Sequence, residues 1–424
     1  MIDAAGLVRY LAGRAVEVPE IAAPRFADRV RPLAADAVPQ SEAEAIAECR
    51  RRMIQAVERA LPAEGKVGIS LSAGFDSTLI AAIAAPILAR RGQTLYAYTY
   101  GFDHFPQTDE RPLLVDFVRQ FGIVWRPFAA DHLLPLTDPA LRPVDPRTPV
   151  STIWREFKQY SYRLAEADGV TTLFNGHYGD HLYANPRYWF EDEFRHGRWS
   201  AALREVFIRT RQDLRIWRDP AWRHVGRRLL GLPIGHQVVP HWLTAEARAL
   251  FTMPAEPLPA AFRGHPRPDH VRLMLGRYAD YDDVLDAPFH EPYGLRLVHP
   301  WRNPDLSALM LALPARFHAR ALQRKWIGRE AARGILPESL RTRPKGSSLV
   351  PIFNAAMRGA TRLQVEALIR RPGAVWPRFV ERTFVDSLMD SREIGDQAGA
   401  LLWRCAWLEH WREHGGRIDP VLCR

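Results

Sequence analysis

Lysine is almost absent from this 424-residue chain: of 58 basic residues only Lys66, Lys158, Lys325 and Lys345 are lysine, and the other 54 are arginine. Codon composition in a GC-rich genome accounts for the total without accounting for any one lysine, so each of the four is a candidate for a specific role. Cysteine is nearly as scarce. Cys49, Cys405 and Cys423 lie far apart with no CxxC pair and no zinc-ligand spacing, which argues against a disulfide scaffold, a structural zinc and a CxxC redox centre. No uncharged stretch of about 18 residues is present, and the opening MIDAAGLVRYLAGRAVEVPE lacks the apolar run of a signal peptide. A cytoplasmic protein with no membrane partner is expected. Internal repeats and a Walker GxxxxGK[ST] loop are also missing.

What remains is the composition of an ordinary folded protein, 47% hydrophobic and 25% charged, with ample apolar material for a core. The formal charge of +10 would suit a polyanion, but the arginines are spread along the chain rather than gathered in a tail, so nucleic acid is not the expected partner. Residues 1–62 read as a helical N-terminal extension. Its second helix, Ser41 to Leu61, is amphipathic and opens with a capping box of Ser41 and Glu44. Short apolar strands then alternate with helices: strands at 67–71, 94–100, 123–128 and 170–174, helices at 78–91, about 109–121 and about 152–167. Such alternation with short connections predicts an α/β fold, a parallel sheet flanked by helices, over residues 63–185. From about 186 to 424 strand signals fade, and a large helical half that completes the active site is expected.

The first strand runs into Ser70-Leu71-Ser72-Ala73-Gly74-Phe75-Asp76-Ser77 and then a helix. Small residues there let backbone N–H groups approach an anion at a helix N-terminus, Ser72 and Ser77 can donate to phosphate oxygens, and Asp76 can hold Mg²⁺. By geometry alone the segment could equally be a tight connection.

SAGFDS resembles the SGGxDS pyrophosphate-binding loop of ATP pyrophosphatases, and further segments resemble the synthetase domain of the asparagine synthetase and β-lactam synthetase family. Asp109-Glu110 resembles the family's DE. Asn175-Gly176-His177-Tyr178-Gly179-Asp180-His181 resembles its GEGSDE or GYGSD loop. GLRLVHPWRNPDLSALMLALP (294–314), QRKWIGREAARGILP (323–337) and RTRPKG (341–346) resemble a PFLD-type segment, a KxxLRxA helix and the RPK turn. The resemblance runs from about 66 to 350 and implies a PP-loop fold of the adenine nucleotide α-hydrolase type. It implies an AMP-forming ligase: a carboxylate attacks the α-phosphorus of ATP, pyrophosphate leaves, and an amine displaces AMP to make an amide. It also assigns ATP and Mg²⁺ as cofactors, with Asp76 and Asp180 on the metal. Ser70, Leu71, Ser72, Gly74, Asp76, Ser77, Tyr98, Gly176 and Lys325 fall to nucleotide binding, Lys345 to catalysis, and Lys325 with Arg329 to phosphate binding or the fold.

The chain departs from the family in two places. His177 stands where asparagine synthetases have Glu and β-lactam synthetases Tyr, and a histidine there could take a proton from the incoming ammonium, with Glu291 orienting it. His181 replaces the usual Glu after the aspartate, which leaves a transition-metal set of His177, Asp180 and His181 as an alternative. The chain also begins Met1-Ile2, without the N-terminal cysteine nucleophile of a glutaminase domain, so an amine from ammonia or from the substrate itself is expected. That pattern resembles β-lactam synthetases and the macrolactam synthetases of lasso peptides. The expected partners are a small-molecule or peptide carboxylate and an amine acceptor, with a partner protein if the substrate is a ribosomal peptide. Arg187, Tyr188, Trp189 and Tyr293 could line its pocket or belong to the core. An ammonia-dependent asparagine synthetase and a tRNA-modifying ATP pyrophosphatase are the other readings.

Overall fold

The computed structural model of the chain describes residues 2–14, 16, 25–133, 144–151, 155–183, 197–201, 204, 207, 238–252, 257–276, 286–287, 289–320, 323–344, 349–391 and 396–419. The main described elements are α1 (Ala4–Leu11), α2 (Glu42–Ala60), β1 (Lys66–Ser70), α3 (Phe75–Arg90), β2 (Leu95–Gly101), α4 (Arg111–Gln120), β3 (Val124–Ala129), α5 (Arg155–Ala167), β4 (Val170–Phe174), α6 (Gly179–Leu182) and β5 (Arg296–Val298), followed by further helices and a short antiparallel pair of two-residue strands, Ala319–Arg320 and Gln323–Arg324. Strands β1 to β5 form one parallel sheet in the order β3-β2-β1-β4-β5. Strands β1 to β4 lie within a residue or so of where the apolar runs predict them.

Alternation along the strands explains how both faces are covered. Val67, Ile69, Leu95 and Ala97 face a core shared with α2, α3 and α4. Tyr98, Val170 and Leu173 face a second cluster with Tyr162 and Ala165 of α5. α3 is buried almost all round, as a helix between a sheet and an outer helix must be, and α2 is that outer layer. The capping box at its start is present: Ser41 Oγ accepts from the Glu44 N–H at 3.2 Å and Glu44 Oε2 accepts from the Ser41 N–H at 3.2 Å.

Two features differ from the sequence expectation. The first 62 residues are not one extension: α2 packs in the sheet's core, whereas α1 packs with the C-terminal helix Asp396–Glu413 in a separate cluster, and Ile2 pairs with Ile418. The half expected to be helical also returns a strand, β5, to the sheet edge beside β4. Its three residues are too few for an alternation pattern, and Arg296 is exposed, so the segment carries no strand signature. Cys49 and Cys405 are free and buried, and burial pushes the Cys49 thiol up to about 12. Among the described residues no helix is long and apolar enough to cross a membrane.

The C-terminal cluster is held by a buried carboxylate. Glu409 is 2% exposed; its Oε1 accepts from the N–H groups of Val375 and Trp376 at 2.8 and 3.1 Å, and its Oε2 accepts from Arg412 at 2.6 Å. Glu409→Ala leaves two buried N–H groups without this acceptor and removes the carboxylate partner of Arg412, and is expected to lower stability by roughly 3 kcal/mol in a denaturant titration. Glu409→Gln, which keeps an amide oxygen for the N–H pair, should cost less than half as much; equal losses would show that the N–H contacts carry nothing.

Candidate active site

The sheet order changes direction between β1 and β4, and in open parallel sheets ligands bind at the carboxyl ends of the strands at such a point. The SAGFDS turn sits there. The Ser72 N–H donates to Ser77 Oγ at 3.2 Å, the two serine hydroxyls are 3.0 Å apart, and Ser77 Oγ donates to Ser72 O at 2.9 Å. Gly74 begins α3 without a side-chain cap, so the first-turn N–H groups and the positive end of a 16-residue helix face outward. They open on a cavity of about 320 Å³. Its walls are Ser70, Leu71, Ser72, Gly74, Asp76 and Ser77 from the turn, Tyr98 and Tyr100 from β2, Asn175, Gly176 and His177 after β4, Phe157, Lys158, Ser161 and Tyr162 from α5, and Leu349.

The loop after β4 lies directly on the start of α3. A Cβ on Gly179 would stand 2.3 Å from Asp76 Cγ, which requires glycine there, and one on Gly176 would make a tight contact of 3.0 Å with the Ser77 nitrogen. Trp301 Nε1 donates to the Asp76 carbonyl at 3.3 Å from the other side. This packing brings together the two carboxylates expected to bind metal. Lys325 Nζ is bonded to Asp76 Oδ2 and lies 2.8 Å from Asp180 Oδ1. Loss of solvent pushes the Asp76 carboxyl above the usual carboxylate range, against the pull of the Lys325 ammonium, while Asp180 is 83% exposed. Lys325 and Tyr178 are the two non-glycine residues with positive φ among those described, at 57° and 65°, and both belong to this site.

Glu110 and the RTRPKG segment also converge on the turn. Glu110 Oε2 accepts from the Ala73 N–H at 2.8 Å; Arg343 Nη1 donates to Glu110 Oε1 at 2.9 Å and to Ala73 O at 2.8 Å. Arg329 is buried, stacks over Phe75 and bonds the Arg341 carbonyl, contacts that help to secure the fold. Lys345 and the possible pocket residues Arg187, Tyr188 and Trp189 lie outside the described residues. Tyr293 packs against Tyr162, with ring centroids 6.2 Å apart.

Some expected residues play other parts. Tyr98 forms wall only, because its hydroxyl donates to Asp168 Oδ2 at 3.0 Å, toward the far end of the sheet. Glu291 is not brought to His177: it is exposed on a short 3₁₀ turn beside α5, and its carboxylate makes no hydrogen bond or ion pair among the described residues. His177 instead faces His299, with ring centroids 5.6 Å apart, and Asn175 Oδ1 joins the two by contacting the His177 N–H at 3.0 Å and His299 Nδ1 at 2.6 Å. The transition-metal set of His177, Asp180 and His181 is not assembled among the described residues. The His181 carbonyl is bonded by buried His270 Nε2 at 3.0 Å, and burial holds the His270 imidazole down to about 3, so it stays neutral at physiological pH. Asn175 and His299 lie inside segments that carry the family resemblance but are given no role by the sequence, and of the α5 side chains only Lys158 is singled out, by the scarcity of lysine.

The parallel sheet with a phosphate-type turn at its switch point defines a PP-loop α/β fold. The family model for asparagine synthase matches residues 48–413, and the chain belongs to the asparagine synthase family, a family of ATP-dependent ligases. Among solved structures it is similar to the U34-tRNA thiolase NcsA from Methanococcus maripaludis with its [4Fe-4S] cluster, at 15% identity and a TM-score of 0.26, over 58% of this chain and 80% of that one. A comparison with curated proteins gives no match.

Lys158 lines the cavity, whereas Lys66 Nζ donates to Asp168 O at 2.8 Å at the amino end of β1. Lys158→Ala is expected to weaken ATP binding about tenfold, roughly 1.4 kcal/mol, with Lys66→Ala unchanged by calorimetry. Equal effects would remove Lys158 from the binding surface.

Proposed function

We propose that the enzyme adenylates a substrate carboxylate, releases pyrophosphate and lets an amine displace AMP to form an amide or lactam in specialised metabolite or peptide biosynthesis. The observation that carries this reading is the Arg343 contact to Ala73 O and Glu110, because it ties the RTRPKG turn to the phosphate loop. In the family that turn belongs to amide formation, and Lys345 follows two residues later.

The uncapped start of α3, with Ser72 and Ser77, is suited to hold the phosphates by N–H and O–H donation. Asp76 and Asp180 offer hard oxygen donors that already converge on one cation, a donor set that fits Mg²⁺ with the remaining ligands drawn from phosphate oxygens. Bound there, Mg²⁺ would neutralise charge on the phosphates. Lys345 supplies a point charge for the α-phosphate and the acyl oxygen. His177, exposed at the cavity mouth, takes the proton from the attacking amine, and Asn175 fixes the loop that carries it.

The test is exchange of labelled pyrophosphate into ATP with candidate carboxylates. Exchange that depends on a carboxylate, with AMP as product, is expected; formation of ADP and phosphate would refute adenylation. Lys345→Ala should lower amide formation at least about a thousandfold with an unchanged melting temperature. Synthesis of asparagine from aspartate and ammonia at a matching rate would replace the specialised reading with asparagine supply.

A further inference from the structure

Away from the nucleotide cavity, and sharing no residue with it, two adjoining cavities of about 440 and 400 Å³ have Pro32, Leu33 and Ala308 in common. They form a groove between residues 29–38, α2, the loop 261–267 and the helix Pro304–Ala312. Four arginines line one cavity and five the other, against a single carboxylate, Asp305, which Arg59 already takes. Arg51 and Arg52 are held by Glu48, and buried Arg267 donates to Leu311 O at 2.6 Å. Arg29, Arg31, Arg263 and Arg316 have no carboxylate partner among the described residues. A concave surface lined with so many cations focuses positive potential and favours an anionic ligand.

We propose that this groove binds an acidic, extended segment of polypeptide, whose carboxylates meet the four arginines that lack a carboxylate partner and whose apolar side chains meet Pro32, Leu33 and Val38. The lining favours a peptide over a nucleic acid. Binding of single strands relies on exposed rings for stacking, and Phe262, the one Phe, Tyr or Trp in either wall, is 4% exposed. Guanidinium groups pair with carboxylates and phosphates alike through two parallel hydrogen bonds, so the choice of a peptide rests on the lack of exposed rings. Both walls also continue to the His177 loop. Arg302, just before the helix Pro304–Ala312, stacks over Tyr178 at 4.9 Å, and the loop 261–267 runs into the helix of His270, which meets the His181 carbonyl. The proposal goes beyond the adenylation reading and does not rest on it.

Fluorescence anisotropy with a labelled peptide of about twelve alternating Glu and Leu residues tests it. Binding that weakens as salt rises is expected, with at least about a tenfold loss in Arg263→Glu/Arg316→Glu and unchanged ATP affinity and melting temperature. If that variant fails to fold, Arg29→Glu/Arg31→Glu, at two exposed positions, reads the same loss. Unchanged binding in the folded variant, equal binding of the peptide with Gln for Glu, or a single-stranded RNA that binds more tightly and displaces the peptide would each overturn the proposal.

Discussion

Two carboxylates from opposite ends of the chain's nucleotide core meet on one ammonium. Asp76 starts α3, Asp180 starts α6, and Lys325 precedes the helix Trp326–Ala331, so a single cation draws together three segments that are far apart in sequence. The approach is close enough that Gly179 has no room for a Cβ, and Lys325 holds a left-handed backbone to reach it. Left-handed conformations in bulky residues persist where the surrounding packing over-determines them. Here that packing includes the Trp301 contact to the Asp76 carbonyl and the sheet strand β5 behind it.

A second, parallel linkage works on the other side of the turn. Glu110 accepts from the Ala73 N–H and binds Arg343, which itself reaches Ala73 O, so the SAGFDS turn is fastened by a carboxylate after β2 and by a guanidinium more than 230 residues away. The two linkages leave the N–H groups at the start of α3 facing a cavity walled by α5. They explain why segments scattered from 70 to 343 are needed for one site, and why the family match must span nearly the whole chain.

Much of the core was legible in the sequence because it obeys local rules. Buried parallel strands write themselves as apolar runs, the small-residue turn marks the passage from β1 into α3, and Ser41 with Glu44 marks the start of α2. β5 was not legible because three residues carry no period. The α5 wall of the cavity was not legible because Phe157, Lys158, Ser161 and Tyr162 read as one more amphipathic helix until the sheet brings them against the turn. Nearness to a motif points Glu291 at His177, but the chain turns at Gly294 and His299 faces His177 instead. The division of residues 1–62 between two clusters depends on long-range contacts that no local pattern encodes.

The central claim is that Asp76 and Asp180 form the metal-binding edge of the ATP site. Calorimetric titration of ATP with Mg²⁺ and with EDTA, in the native protein and in Asp180→Asn, tests it most directly. The account predicts that Mg²⁺ strengthens ATP binding in the native protein and that Asp180→Asn loses this gain while still binding metal-free ATP. Full retention of the Mg²⁺ effect in Asp180→Asn would contradict it.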